Sequence, residues 1–138
     1  MKGFFPLLLL AVVALAGCSK NDNEKTEQSP LPFTAAVKNG DWMVTYMVNN
    51  ASMDMGVTFL KFNANGSVVA TKDGAPYNGT WTETNTAGTN TLTLNVTTSD
   101  VKLQRVNATW KVLNISEYYI DLKDPAAGSN IAVQLMKH

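Results

Sequence analysis

The chain has 138 residues, with 11 basic against 11 acidic side chains, one cysteine and one histidine. That neutral balance lacks the basic excess on which phosphate binding draws, so nucleic acid is not an expected partner. A single cysteine excludes an internal disulfide, a CxxC redox pair and a cysteine-based structural zinc site, while 45% hydrophobic and 16% charged content suits one packed domain better than a disordered chain.

Lys2 gives the N-terminal segment a positive charge, and Phe4 to Ala16 is an apolar run of about 13 residues. A spanning helix needs roughly 20, so residues 1–17 read as a secretory signal peptide rather than a membrane anchor. The run ends in Leu15-Ala16-Gly17-Cys18, which resembles the lipobox of bacterial lipoproteins. That resemblance implies cleavage before Cys18 and acylation of its thiol, with palmitate-type chains holding the protein to a membrane. Stable anchoring takes at least two chains, as a fully processed lipoprotein carries.

Residues 18–32 form the next unit. Ser19 to Pro32 has no apolar side chain before Leu31 and cannot bury enough surface to offset the entropy of ordering, so it reads as a solvated tether. Fully extended, such a stretch reaches about 45 to 50 Å. Cys18-Ser19-Lys20-Asn21-Asp22-Asn23-Glu24 is similar to the polar, acid-containing signal that follows the lipid cysteine in surface-exposed lipoproteins of Bacteroidota. The resemblance implies the outer membrane and favours its outer face, with the periplasmic face as the alternative.

Residues 33–138 carry a period of two. Trp42, Val44, Tyr46 and Val48 alternate with other side chains, as a half-buried strand requires. Val57 to Phe62 is a second strand, Asn63 to Gly66 a hairpin loop, and Ser67 to Thr71 the return. Tyr77 to Trp81 and Leu92 to Val96 are two more, separated by a loop over Asn85 to Asn90. Trp110 to Leu113, Tyr118 to Leu122 and Ile131 to Leu135 bring the number to eight. Between strands five and six, residues 99–107 space Val101, Leu103 and Val106 like a short helical segment, with Ser99-Asp100 at its start. Sequential short hairpins without long helices predict an all-β fold, an eight-stranded antiparallel up-and-down barrel, because closure leaves no exposed edge. Six Asn-x-Ser/Thr triplets, at Asn50, Asn65, Asn78, Asn95, Asn107 and Asn114, read as by-products of Asn-rich turns and Thr-rich outer faces.

Gly40-Asp41-Trp42 resembles the Gly-x-Trp signature of lipocalins. Phe62 to Gly66, Gly79-Thr80-Trp81, Asn90 to Leu94, and Ile120 to Asp124 resemble, in that order, segments of small lipocalin-like lipoproteins of Bacteroidota. The likeness implies that Trp42 closes the barrel floor beneath a cation, here Lys137 or Arg105. It also assigns structural roles to Gly40, Gly66 and Gly79, and implies a calyx that holds a small molecule.

Catalysis is not expected, since the only histidine is His138 and no carboxylate pair is marked by spacing. Met43, Met47, Met53 and Met55 offer soft thioether ligands for Cu(I), but apolar gap-filling explains them better, so neither a metal nor a cofactor is expected. The candidate ligand-binding set is Tyr46, Met53, Met55, Phe59, Trp81 and Trp110, with the two later methionines overhanging the barrel mouth. Two functions follow. In the first, the lipid-anchored, non-enzymatic barrel binds or presents a small hydrophobic ligand. In the second, a filled barrel serves as a surface accessory module that contacts protein or glycan through its loops. A hollow interior with an open mouth marks the first, and an interior filled by tryptophans with aromatics exposed on one rim marks the second.

Overall fold

Alternating burial from Trp42 onward dictates strands, and their short connections dictate which strands pair. A computed structural model describes residues 32–37 and 40–138; the apolar leader, Cys18 and the tether as far as Leu31 lie outside the described residues. A short helix, α1 (Phe33–Ala36), comes first. Nine strands follow among the described residues: β1 (Trp42–Val48), β2 (Ala51–Met53), β3 (Thr58–Phe62), β4 (Ser67–Lys72), β5 (Ala75–Thr86), β6 (Thr89–Val96), β7 (Thr109–Ile115), β8 (Tyr119–Lys123) and β9 (Ile131–Lys137).

Every pairing is antiparallel, and from β3 to β9 each strand hydrogen-bonds to the next in sequence. The sheet closes through β1 and β9, in register from Trp42 opposite Lys137 to Val48 opposite Ile131. The other edge of β1 is shared: β2 covers its later half, with Tyr46 opposite Met53, and β3 its start, with Trp42 opposite Leu60. β2 and β3 therefore act as one interrupted wall, and the molecule is the expected closed eight-stranded antiparallel barrel. The end holding Trp42, the β3–β4 and β5–β6 turns and the β7–β8 turn is called lower here; the β4–β5 turn and the crossover from β6 to β7 mark the upper end.

Inward side chains fill the barrel. Trp42, Leu60, Val68, Leu92, Leu94, Ile120, Leu122 and Leu135 are buried from six different strands. Each such side chain is worth about 1.5 to 3 kcal/mol against remaining in water. Gly79 lets β5 approach β6 closely. A Cβ there would stand 2.7 Å from the Val96 Cα and press on the Asn95 carbonyl, so only the missing side chain permits this contact.

Both ends are plugged. At the lower end α1 drops the Phe33 ring against Phe62, with centroids 5.1 Å apart and edge to face, and against Trp81 at 5.3 Å. The Phe33 N–H donates to Glu83 Oε1 at 3.2 Å, which fixes the helix start. At the upper end the β6–β7 crossover carries a single 3-10 turn, Leu103–Val106, whose two apolar side chains are fully buried. The Asp100 carboxylate accepts from the Leu103 N–H at 2.8 Å. Asn107 clamps the end of β6 by accepting from the Val96 N–H and donating to the Val96 carbonyl.

The short helical segment expected near residues 99–107 is present as the one 3-10 turn, Leu103–Val106. Two local features differ from the sequence expectation. Asn85 to Asn90 is not a loop: β5 and β6 run through it to a two-residue turn at Ala87-Gly88, both with positive φ, and the Asn85 amide donates across the hairpin to Asn90. The turn at Asn49-Asn50, with φ of 53° and 61°, folds back β2, which reads as loop in the sequence because Ala-Ser-Met shows no alternation.

Candidate functional site

The six residues proposed to line a ligand site do not converge. Tyr46, Trp81 and Trp110 point inward, and Tyr46 meets Trp110 edge to face at 6.4 Å near the upper end. Phe59 is corrected to the outer face. It lies opposite Met43 across the β1–β3 pair, between the inward Thr58 and Leu60, and its ring meets His138 edge to face with centroids 5.0 Å apart. The two methionines of the expected mouth part company, since Met53 is 41% exposed on β2 while Met55 is 3% exposed and belongs to the core. The reason is the interruption after β2: the Asp54 carboxylate accepts from the Gly56 N–H, and the tight turn swings Met55 inward. Met43 and Met47 sit on the outer side of β1, so the four methionines do not gather into one ligand set.

The tryptophans differ in how their indole N–H groups are met. Trp81 Nε1 donates to the Asn63 carbonyl at 3.0 Å and Trp110 Nε1 to the Val106 carbonyl at 2.9 Å, which ties each ring to the plug or turn beside it. Trp42 is fully buried at the barrel floor, and its Nε1 finds no partner among the described residues. A buried donor left unmatched costs about 1 to 3 kcal/mol, so packing has to outweigh it. Arg105 does not reach Trp42. Its guanidinium stands 5.8 Å from the Tyr46 ring centroid at the opposite end, because the crossover carrying it caps the upper mouth. Lys137 is level with Trp42 across the β1–β9 pair and lies against Gly40, which takes a φ of +106° open to glycine.

Two hollows at the surface are lined by described residues. One of about 150 Å³ lies beside the lower plug, lined by Thr34, Val37, Phe62, Asn63, Ala64 and Trp81. The other, of about 170 Å³, opens where β6 and β7 part below Thr91 and is bordered by Gly88, Asn90 and Val112 to Ile115. Sites for drug-sized ligands run from roughly 300 to 1,000 Å³, so each of these admits a fragment at most.

Charge concentrates at the upper end. Lys72 pairs with Asp73 and lies 3.6 Å from Asp100, and Lys102 bonds Asp54 at 2.5 Å, so the β2–β3, β4–β5 and β6–β7 connections are tied together. Asp73 also accepts from the Val57 N–H. The Lys102 ammonium and then the Gly56 N–H hold the Asp54 carboxyl below its usual range; Lys72 and then Val57 do the same for Asp73. For Asp100 the Leu103 N–H acts first and the Lys72 charge after it, and the Lys72 ammonium is itself pushed up by Asp73. In the sequence no spacing marks these acids as a group. Asp54 and Lys102 are 48 positions apart, and no spacing rule joins them.

A profile of the Bacterial Ig domain family matches residues 34–94, from α1 into β6, which is fewer than half of the residues. The chain is similar to that family there. Immunoglobulin sandwiches pack two sheets with Greek-key connections, whereas this sheet is one closed ladder of sequential neighbours, so the shared part is a run of short alternating strands. Comparison with curated proteins and with solved structures gives no match.

A second feature escaped the sequence reading. On the outer face Tyr119 lies opposite Met136, Met136 opposite Met43, and Met43 opposite Phe59, which makes an apolar row across four neighbouring strands. The signal was available: these side chains occupy the parity that each strand's buried residues leave free.

Proposed function

We propose that this protein is a lipid-anchored, non-enzymatic accessory module of the bacterial outer membrane, a filled barrel that presents its upper loops to a protein or glycan partner. The observation that carries this reading is the closure of both barrel ends, by Phe33 below and by Leu103 and Val106 above, over an interior already occupied by side chains. A calyx for a small hydrophobic molecule would need that volume empty, and the two surface hollows are too small to replace it.

Three further points support the reading. The Ala16-Gly17-Cys18 ending of the apolar run supports acylation of Cys18. Similarity to the Bacterial Ig domain family over residues 34–94 accords with a β-rich accessory domain. Asp54, Asp73, Asp100 and Asp124 are all held below the usual carboxylate range, chiefly by lysines or backbone N–H groups, which argues against these four as general acids at neutral pH.

Fractionation with a photo-crosslinking residue at Ala126, in the upper β8–β9 loop, tests both halves. The wild-type chain is expected in the outer membrane with the mass of a diacylated cysteine, and Cys18→Ser in the soluble fraction. A discrete protein or glycan adduct at position 126 is expected in the living cell. An unmodified, soluble wild-type chain would contradict the anchor, and an adduct-free upper rim would contradict the partner.

A further inference from the structure

The exposed large apolar side chains divide between the two ends. Below are Leu113, Tyr118, Tyr119 and Met136, with Tyr118 71% and Leu113 56% exposed. They converge for a local reason. A bulge between Val112 and Asn114 turns Leu113 and Asn114 outward together, and the Asn114 amide donates to the Tyr119 hydroxyl at 3.3 Å. Tyr119 lies opposite Met136, and the Tyr118 carbonyl accepts from the Lys137 N–H, so the β7–β8 turn is pinned beside the end of β9. Above are Met53, Val57 and Val101, but they stand among Asp54, Lys72, Asp73, Asp100 and Lys102, whose charges would all have to leave water if that rim were covered. Among the described residues the lower end carries Asp41, Glu83 and Glu117 against Lys61 and Lys137, which gives them no basic excess for anionic lipid.

The chain also enters the barrel at the lower end. Phe33 is seated there on Phe62 and Trp81, so the described chain begins on that side, at Pro32. With Cys18 in the bilayer, the lower rim is held within about 45 to 50 Å of the lipid surface, the extended length of Ser19 to Pro32. A weak contact then suffices, because a short tether keeps it at millimolar effective concentration. Tyrosine suits such a contact, since its ring enters the headgroup layer while its hydroxyl stays hydrated.

We propose that Leu113, Tyr118, Tyr119 and Met136 form a lipid-contact rim that seats the barrel, lower end down, on the bilayer carrying its own anchor. This rests on the acylation of Cys18 proposed above, and it leaves the charged upper end facing away from the membrane.

The experiment uses the full lipidated chain in phosphatidylcholine and phosphatidylethanolamine vesicles containing a spin-labelled lipid, with a fluorophore on Tyr118→Cys or, in a second sample, on Val101→Cys. The acylated Cys18 does not take the label. The expected result is flotation with the vesicles and quenching at position 118 several-fold stronger than at 101, unchanged by high salt. Flotation with equal quenching at both positions overturns the rim while leaving the anchor standing. Failure to float overturns the anchor and the rim with it. Protection of position 118 in native envelopes but not in lipid vesicles assigns the rim to a protein partner and also overturns the proposal.

Discussion

The two ends of this barrel are closed by different forces. At the lower end Phe33, Phe62 and Trp81 pack ring against ring and Trp42 is fully buried in the same core, so the closure draws on area removed from water. At the upper end two apolar side chains of a single 3-10 turn fill the mouth, and the loops around it are joined by ion pairs that face solvent. Exposed pairs of this kind contribute little to stability and are screened by salt. The lower closure therefore behaves as core and the upper one as a clasp.

The sharpest way to break this contrast is at the floor. Trp42→Ala should cost about 3 to 5 kcal/mol in chemical denaturation, the range for removing a buried aromatic ring. Unchanged melting would remove Trp42 from the core. Because its Nε1 is unpartnered, Trp42→Phe should cost much less than Trp42→Ala, as the orphaned donor leaves with the extra ring. Phe33→Ala should cost about 3 kcal/mol if α1 is part of the folded unit, and a variant as stable as wild type would mean that the lower plug contributes nothing. Gly79→Ala should destabilise by about 1 to 3 kcal/mol, since the added methyl meets backbone atoms that cannot turn aside.

The upper end should respond to conditions instead. Asp54, Asp73, Asp100 and Asp124 have folded-state pKa values below the ordinary 3.8, so the stability they confer is complete above that value and is lost as pH falls below it. Lys72, raised above 10.5, contributes across this acid range and loses its share only at strongly alkaline pH. Hydrogen exchange should show residues 97–108 opening first on acidification or at high salt, with Phe33 and Trp42 still protected. Simultaneous opening of both ends would dissolve the distinction. Asp54→Asn is expected to give the smallest change, visible as faster exchange at Leu103 and Val106 and less than any of the core substitutions.

Much of this was legible in the residues and some was not. The barrel followed from the alternation at Trp42 to Val48 and from the hairpin chemistry of Asn63 to Gly66, because period and turn residues are local properties. Phe59 was misassigned because a ring suggests the interior, while the parity of Thr58 and Leu60 puts it outside. The division of Met53 from Met55 depends on a turn set by Asp54, and the clasp depends on contacts between residues far apart in the chain; neither leaves a periodic trace. Closure of the mouth by Leu103 and Val106 was half visible, as a helical spacing without a known place to dock.

Native mass spectrometry of the full-length protein, isolated from its host under non-denaturing conditions, tests the filled barrel most directly. The packed interior predicts the mass of the acylated chain alone, preparation after preparation. A stoichiometric small-molecule adduct that survives desalting and is released on unfolding would contradict it.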